Sequence, residues 1–120
     1  MNEPLLHVLV INWNGREHLR DCFDSLTASK YGNARFVLVD NGSTDGSVAF
    51  VREHCGHDPR VEFLELSENL GWSGGNNAGI RRAMDAGAAY IFLLNNDTRV
   101  SPRAFEKVVA LAQATPRVGV

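Results

Sequence analysis

Three short polar segments, each directly after an apolar stretch, contain the residues of this sequence best suited to bind a ligand. They are Asn12-Trp13-Asn14, Asp40-Asn41-Gly42-Ser43 and Asn95-Asn96-Asp97. A carboxylate accepts hydrogen bonds from base N–H groups or ribose hydroxyls, and it also binds hard divalent cations. Such a cation neutralises the charge that develops on a departing diphosphate. These residue types therefore indicate a site for a nucleotide diphosphate and its metal ion.

A glycine-rich segment, Gly71-Trp72-Ser73-Gly74-Gly75, would allow the backbone to approach such a ligand closely. Two common nucleotide-binding signatures are missing from the sequence. The turn after the first apolar stretch, residues 12–17, has one glycine instead of G-x-G-x-x-G, which disfavours a nicotinamide or flavin dehydrogenase. No G-x-x-x-x-G-K-[ST] motif occurs, which excludes a P-loop NTPase.

The elements that position these segments alternate regularly along the chain. Apolar stretches predict buried strands at 5–11, 35–39, 61–66 and 89–94. Helices with one apolar face are predicted after each strand: at 16–28, from an N-cap at Thr44, after Gly75 with Ile80, Ala83 and Met84 inward, and from Ser101-Pro102. This pattern predicts an α/β fold, a mostly parallel Rossmann-like sheet with flanking helices. Because right-handed crossovers place all strand ends at one edge, the three polar segments are expected to meet there.

Composition limits the remaining possibilities. With 120 residues, 44% of them hydrophobic, and a net charge of −2, the chain suits one globular domain and does not suggest a nucleic-acid binder. No apolar run reaches the length of a membrane span, and the N-terminus lacks the features of a signal peptide, so the cytoplasm is the predicted compartment. The segment His54-Cys55-Gly56-His57 has no second ligand pair, which disfavours zinc.

Four motifs together resemble the family 2 glycosyltransferases, in particular the branch that includes bacterial rhamnosyltransferases. They are the segments 8–15 (VLVINWNG), 39–47 (VDNGSTDGS), 69–79 (NLGWSGGNNAG) and 93–98 (LLNNDT), and their order and spacing cover nearly the whole chain. The resemblance implies a GT-A fold, a nucleotide-diphosphate sugar donor carrying dTDP or UDP, a divalent metal (Mg²⁺ or Mn²⁺) and inversion at the anomeric carbon.

The resemblance also assigns roles to individual residues. Asp40 matches the aspartate that binds the nucleobase edge, Asn76 is the expected side-chain contact to ribose or diphosphate, and Asp97 is the expected metal ligand. Asn95 stands where many relatives have the first carboxylate of Asp-x-Asp, which is a departure from the family pattern. The residues predicted to bind the donor, through backbone or side chain, are Ile11, Asn12, Asn14, Asp40, Asn69, Gly71, Gly75, Asn76, Asn95 and Asn96.

Members of this family usually have more than twice this length. Residues 1–120 are therefore predicted to be the nucleotide-sugar-binding part of a GT-A domain, with residues 116–120 opening a fifth strand. The acceptor-binding part and the general base are expected beyond Val120, so the fragment is expected to be inactive alone. The implied acceptor is a saccharide or a lipid-linked molecule in cell-surface polysaccharide synthesis, with peripheral membrane association of the full-length protein.

Other interpretations stay open at this point. A non-catalytic nucleotide-sugar-binding or interaction module would have the same fold. A sugar-nucleotide nucleotidyltransferase is disfavoured because residues 12–16 lack the glycine-rich, basic loop that it requires. Asp40 and Asp97 are also residue types that form turns and cap helices without binding a ligand.

Overall fold

Four parallel strands alternate with four helices in the computed structural model, which describes residues 3–114. The strands are β1 (Leu6–Asn12), β2 (Ala34–Asn41), β3 (Val61–Leu66) and β4 (Tyr90–Asn95). The helices are α1 (Arg16–Thr27), α2 (Ser47–Cys55), α3 (Gly71–Asp85) and α4 (Ala104–Ala114). All pairings are parallel, and the strand order is β3-β2-β1-β4. The predicted α/β fold is confirmed.

Both faces of the sheet are covered because the central strands are apolar on both sides. Val8 and Val10 of β1 belong to a core that also contains the apolar faces of α1, α2 and α4. Leu9 and Ile11 face the other way, into a smaller core to which Ile80 of α3 contributes. In α4, Phe105 packs edge-on against Phe92 of β4, with ring centroids 5.5 Å apart. Among residues 3–114, no helix is long and apolar enough to cross a bilayer.

The strand register brings the polar segments together. Asn12 lies beside Asp40 in the pairing of β1 with β2, and Ile11 lies beside Asn95 in the pairing of β1 with β4. Every strand therefore ends at the same side of the sheet, which we call the carboxyl edge. This arrangement follows from the parallel topology, and it was predicted from the alternation of strands and helices.

Helix α3 differs from the prediction at both ends. It begins at Gly71, so Gly74 and Gly75 lie inside the helix instead of before it. The predicted inward position of Met84 is wrong, because its side chain is 66% exposed. Gly75 and Gly79 allow α3 to lie very close to the sheet. A Cβ atom on Gly79 would lie 2.9 Å from Leu9 Cδ1 and 3.0 Å from Val39 Cγ2.

Two helix starts were also predicted wrongly. Thr44 does not cap α2; the N-cap is Gly46 in the left-handed region (φ 80°), and Asp45 Oδ1 accepts a 3.0 Å hydrogen bond from the Ser47 N–H. Helix α4 begins at Ala104, because Ser101 and Pro102 belong to the turn that precedes it. The fifth strand predicted at 116–120 lies outside the described residues.

The close contact between α3 and the sheet predicts that Gly79→Val lowers the free energy of unfolding by about 1–3 kcal/mol, because the added methyl groups overpack Leu9 and Val39. The matched control is Arg81→Val at an exposed position of the same helix, where only the lower helix propensity of valine applies, a cost under about 1 kcal/mol. Urea unfolding of both variants measures the difference. Equal losses would contradict the close packing.

Candidate functional site

Asp40, near the end of β2, is a buried carboxylate surrounded by hydrogen-bond donors. Its side chain is 4% exposed. Oδ1 accepts hydrogen bonds from Asn12 Nδ2 (3.0 Å) and from the Ser43 hydroxyl (2.7 Å), and Oδ2 accepts one from the Ser43 backbone N–H (2.9 Å). Asp40 thus does form a turn with Ser43. A carboxylate has about four acceptor sites, so the three bonds leave one for a ligand.

Asn12 ends β1 and lies between the other two polar segments. It is 1% exposed, and both ends of its amide are engaged. Nδ2 donates to Asp40 Oδ1, while Oδ1 accepts a 2.9 Å hydrogen bond from Asn96 Nδ2. The side chain is therefore committed to contacts within the protein. The predicted donor contact through the backbone of Ile11 and Asn12 stays a prediction.

Ser43 is a residue of the site that the sequence analysis did not single out. Its hydroxyl donates to Asp40 and accepts hydrogen bonds from Asn12 Nδ2 (3.3 Å) and from the Asn14 backbone N–H (2.8 Å). One donor and two acceptors are all that a hydroxyl offers, so Ser43 is fully used. Its position three residues after an aspartate at a strand end was the signal that could have identified it.

Asn14 joins the loops that follow β1 and β2. Its backbone is in the left-handed region (φ 49°), which asparagine tolerates better than most residues. The side-chain Oδ1 accepts a 2.8 Å hydrogen bond from the Thr44 N–H. Asn14 is exposed at the carboxyl edge, so it lies where the sequence analysis expected it.

The turn after β4 contains the predicted metal ligand. A hydrogen bond of 3.1 Å from the Thr98 N–H to the Asn95 carbonyl closes this turn, with Asn96 and Asp97 at its centre. Asn95 and Asp97 are exposed, and within residues 3–114 the Asp97 carboxylate has no hydrogen bond or salt bridge. Burial raises the pKa of the neighbouring Cys22 thiol to about 12, and the negative charge of Asp97 adds to this shift.

The loop before α3 is held by Asn41, a second residue that the sequence analysis missed. Asn41 is buried at the end of β2; its Oδ1 accepts from the Leu70 N–H (2.8 Å) and its Nδ2 donates to the Gly71 carbonyl (2.9 Å). A Cβ on Gly75 would lie 3.1 Å from Asn41 Nδ2. Gly71 itself has φ 77°, a value that favours glycine at the helix start.

The remaining predicted residues of this loop have distinct positions. Asn69 is exposed, and its Oδ1 accepts a 2.7 Å hydrogen bond from the Gly71 N–H. Asn76 is 6% exposed, and its Oδ1 is buried without a hydrogen-bond partner among residues 3–114. An unpaired buried oxygen is unfavourable by about 1–3 kcal/mol. The predicted contact between Asn76 and a donor stays a prediction.

The available metal ligands fit a hard cation that completes its shell elsewhere. No group of three His, Cys, Asp or Glu side chains gathers within residues 3–114. Mg²⁺ characteristically uses one or two carboxylates together with substrate phosphates and water, and the free carboxylate of Asp97 meets that requirement. Zinc at residues 54–57 is disfavoured further, since burial raises the pKa of Cys55 to about 11 and His54 Nε2 lies 2.7 Å from Asp24 Oδ1.

Comparison with known proteins identifies the family. The model of the family described as "Glycosyl transferase family 2" matches residues 7–120. The chain belongs to glycosyl transferase family 2. This membership confirms the resemblance drawn from the four motifs at the level of the family, and it does not favour the alternative of a non-catalytic nucleotide-sugar-binding or interaction module with the same fold.

Three relatives illustrate the relationship. The low-salt glycan biosynthesis hexosyltransferase Agl10 of Haloferax volcanii is 28% identical over 111 residues, which are 92% of this chain and 33% of that protein. The mannosyltransferase PcManGT from Pyrobaculum calidifontis, solved with GDP-Man and Mn²⁺, superimposes with a TM-score of 0.82 at 24% identity over 98% of this chain and 34% of that one. S. aureus TarS 1–349 in complex with UDP-GlcNAc gives a TM-score of 0.79 at 16% identity over 92% of this chain and 31% of that one.

The structural neighbours establish the fold of this glycosyl transferase family 2 chain. It spans about a third of the length of these three relatives. Their matched portions therefore correspond to the part of the fold that carries the carboxyl edge described here.

Asp45 gives a pH-dependent prediction for this glycosyl transferase family 2 chain. Burial raises the pKa of Asp45, but hydrogen bonds from the Ser47 side chain and from the N–H groups of Arg16 and Ser47 outweigh it, so the pKa lies below its ordinary value of 3.8. The stabilisation is therefore complete above pH 3.8 and is lost as the pH falls through the lower folded-state pKa.

We expect Asp45→Asn to be less stable than the unsubstituted protein at pH 7. The two should approach each other as the pH falls below 3.8 and through the lowered folded-state pKa of Asp45, because the charge that distinguishes them disappears there. Glu53→Gln, an exposed position of α2, is the control. Urea unfolding at several pH values measures the difference. A difference in stability between Asp45→Asn and the unsubstituted protein that does not change with pH would contradict this role.

Proposed function

We propose that residues 1–120 are the nucleotide-sugar-binding part of an inverting glycosyltransferase, which transfers a sugar from a dTDP- or UDP-linked donor to a saccharide or lipid-linked acceptor. The observation that carries the proposal is the hydrogen-bonded connection at the carboxyl edge from Asp40 through Asn12 to Asn96, the residue before Asp97. It joins a base-binding carboxylate to a metal-binding one. Membership of glycosyl transferase family 2 supports the transferase activity.

The nucleobase would bind at Asp40. The remaining acceptor site of its carboxylate suits the imide N–H that uracil and thymine share. Burial favours this contact, since a hydrogen bond to a carboxylate is stronger away from water. Asn14, exposed on the adjoining loop, would flank the base and ribose.

The diphosphate would lie between Asp97 and the N-terminus of α3. This helix has 15 residues and no acidic residue in its first turn, so its free N–H groups favour an anion. Gly71, where an added Cβ would have no neighbour within 4 Å, leaves this approach open, and Gly75 keeps α3 close to Asn41 at the end of β2. A divalent cation bound at Asp97 supplies positive charge to the leaving diphosphate. Mn²⁺ in the complex of PcManGT supports the choice of metal.

The acceptor half of the reaction is proposed to lie outside this chain. Inversion requires a base that removes the proton of the acceptor hydroxyl, and such a base contributes about 10²–10⁴-fold to the rate. Glu106 is not suited to this role, because it pairs with Arg103 (3.2 Å) on α4. The general base beyond Val120, the acceptor, cell-surface polysaccharide synthesis, membrane association and cytoplasmic location stay predictions.

The identity of the transferred sugar is a separate part of the proposal. Residues 93–98 (LLNNDT) favour the rhamnosyltransferase-like branch and hence dTDP-rhamnose. The relatives and neighbours are a hexosyltransferase and complexes with GDP-Man and UDP-GlcNAc. These names support a nucleotide-sugar donor in general, and a panel of dTDP-, UDP- and GDP-sugars decides between them.

Calorimetric titration with UDP and dTDP, with and without Mn²⁺, tests the proposed function. We expect Asp97→Ala to remove the gain in affinity that Mn²⁺ produces, because the carboxylate ligand is lost. We expect Asp40→Ala to weaken binding about 10- to 100-fold in both conditions, the range for a hydrogen bond to a charged group.

Asp85→Ala, exposed at the far end of α3, is the matched control and should bind as the unsubstituted protein does. If the folded chain binds neither nucleotide with Mn²⁺, the proposed function is wrong. If Asp40→Ala and Asp97→Ala both bind normally, the site lies elsewhere.

A further inference from the structure

The amide of Asn12 has one permitted orientation, and the charge on Asp40 sets it. An ionised carboxylate only accepts hydrogen bonds, so Asn12 must turn its Nδ2 toward Asp40. Asn12 Oδ1 then points away from Asp40 and can be satisfied only by a donor. Asn96 supplies that donor with its Nδ2, 2.9 Å away. We call Asp40, Asn12 and Asn96 the amide relay.

The relay determines which atom Asn96 offers to a ligand. Because Asn96 Nδ2 is bound to Asn12, its Oδ1 is the free end of the amide, and it accepts no hydrogen bond from residues 3–114. Asn96 is half-buried in the centre of the 95–98 turn, directly before Asp97. The free carbonyl oxygen thus belongs to the residue directly before the exposed carboxylate, and both groups are of the type that binds hard cations.

Gly15 gives independent support for a role of the hydrogen bond between Asn12 and Asn96. A Cβ at this position would lie 2.2 Å from Asn96 Nδ2 and 2.6 Å from Asn12 Oδ1, in the place of their hydrogen bond. The backbone does not require glycine, since φ is −107°. Gly15 is also the N-cap of α1 and makes no side-chain cap, although serine or aspartate would stabilise a helix there. Glycine at position 15 is explained by the space that the Asn12–Asn96 hydrogen bond occupies.

We propose that Asn12 and Asn96 are positioning residues that connect the nucleotide carboxylate Asp40 to the metal-binding turn. Through them the turn is held so that Asn96 Oδ1 and Asp97 face the cation and the donor. Beyond the turn this loop is also attached to α1, where the Val100 N–H donates to Ser25 Oγ (3.1 Å) and the Arg99 guanidinium lies 3.5 Å from Asp21 Oδ1. The proposal rests on the proposed function, and it adds that the two halves of the site are held in register by uncharged amides.

Gly15→Ala tests the relay without removing any polar group. The methyl group is expected to separate Asn12 from Asn96, while both carboxylate side chains, Asp40 and Asp97, are retained in the sequence. We expect the gain in UDP or dTDP affinity on adding Mn²⁺ to fall about 3- to 10-fold, which corresponds to the loss of one hydrogen bond. We expect the affinity without metal to change less than about 2-fold, since Ser43 still holds Asp40.

The matched control is Gly32→Ala, an exposed glycine before β2 at the opposite edge of the sheet. Its Cβ would meet only the end of the flexible Glu3 side chain, at 3.3 Å. This variant should bind nucleotide and metal as the unsubstituted chain does. If Gly15→Ala does not fold by circular dichroism, Asn96→Ala replaces it, because it removes the donor from the opposite side of the contact. Since this substitution also removes Oδ1, only the smaller gain in affinity on adding Mn²⁺ is expected of it, and no expectation is set for binding without metal.

Side-chain amide signals in NMR spectra of the ligand-free chain give a readout that does not depend on binding. Asn96 Nδ2 protons should exchange with water more slowly than those of Asn77, which is exposed, and this protection should disappear in Gly15→Ala. Unprotected Asn96 protons in the unsubstituted chain would overturn the proposal. So would an unchanged effect of Mn²⁺ in folded Gly15→Ala, even with nucleotide binding intact.

The two proposals fail differently. If the unsubstituted chain binds UDP or dTDP but Gly15→Ala behaves like Gly32→Ala, the proposed function stands and the positioning role does not. If the unsubstituted chain binds neither nucleotide with or without Mn²⁺, the proposed function fails and the positioning role fails with it, whatever the amide signals show.

Discussion

The candidate site depends on a carboxylate that is buried at the end of a central strand. Removing the charge of Asp40 from water is unfavourable unless donors replace the solvent. Asn12 comes from the neighbouring strand, and Ser43 donates with both its hydroxyl and its backbone N–H. These bonds fix the loops after β1 and β2 relative to each other. The requirement to satisfy one charge thus organises the carboxyl edge before any ligand binds.

The parallel sheet brings the ends of its strands together at one edge, and the helices pack on its two faces. Helices α1, α2 and α4 cover one face of the sheet with large apolar side chains. On the other face α3 lies close to the strands, because Gly75 and Gly79 present no side chain toward Asn41 and Leu9. The start of α3 therefore comes near the strand ends, where its free N–H groups would favour an anion.

The sequence predicted the elements whose patterns are local. Four strands, their parallel arrangement and the buried face of α1 follow from apolar runs and from helical spacing, and all are confirmed. Prediction from the sequence failed where contacts between residues far apart along the chain determine the local structure. Glycines suggested a loop before α3, yet Gly75 lies inside the helix and allows it to pack closely on the end of β2. At the start of α2, the Thr44 N–H is bound by Asn14 Oδ1 from the loop after β1, and Gly46 is the N-cap. Ser43 and Asn41 were missed because their hydrogen bonds reach other loops. The donor-binding and metal-binding roles of the named residues stay predictions, since they concern contacts to a nucleotide sugar and a metal ion.

The link between Asp40 and the turn after β4 is made of two carboxamides, and this has a consequence for how the two regions communicate. Carboxamides neither take up nor release protons between acidic and alkaline solution. Asn12 and Asn96 therefore fix the relative positions of the two regions, and neither side chain itself titrates. A histidine in either place would have made the connection a titrating switch near neutrality.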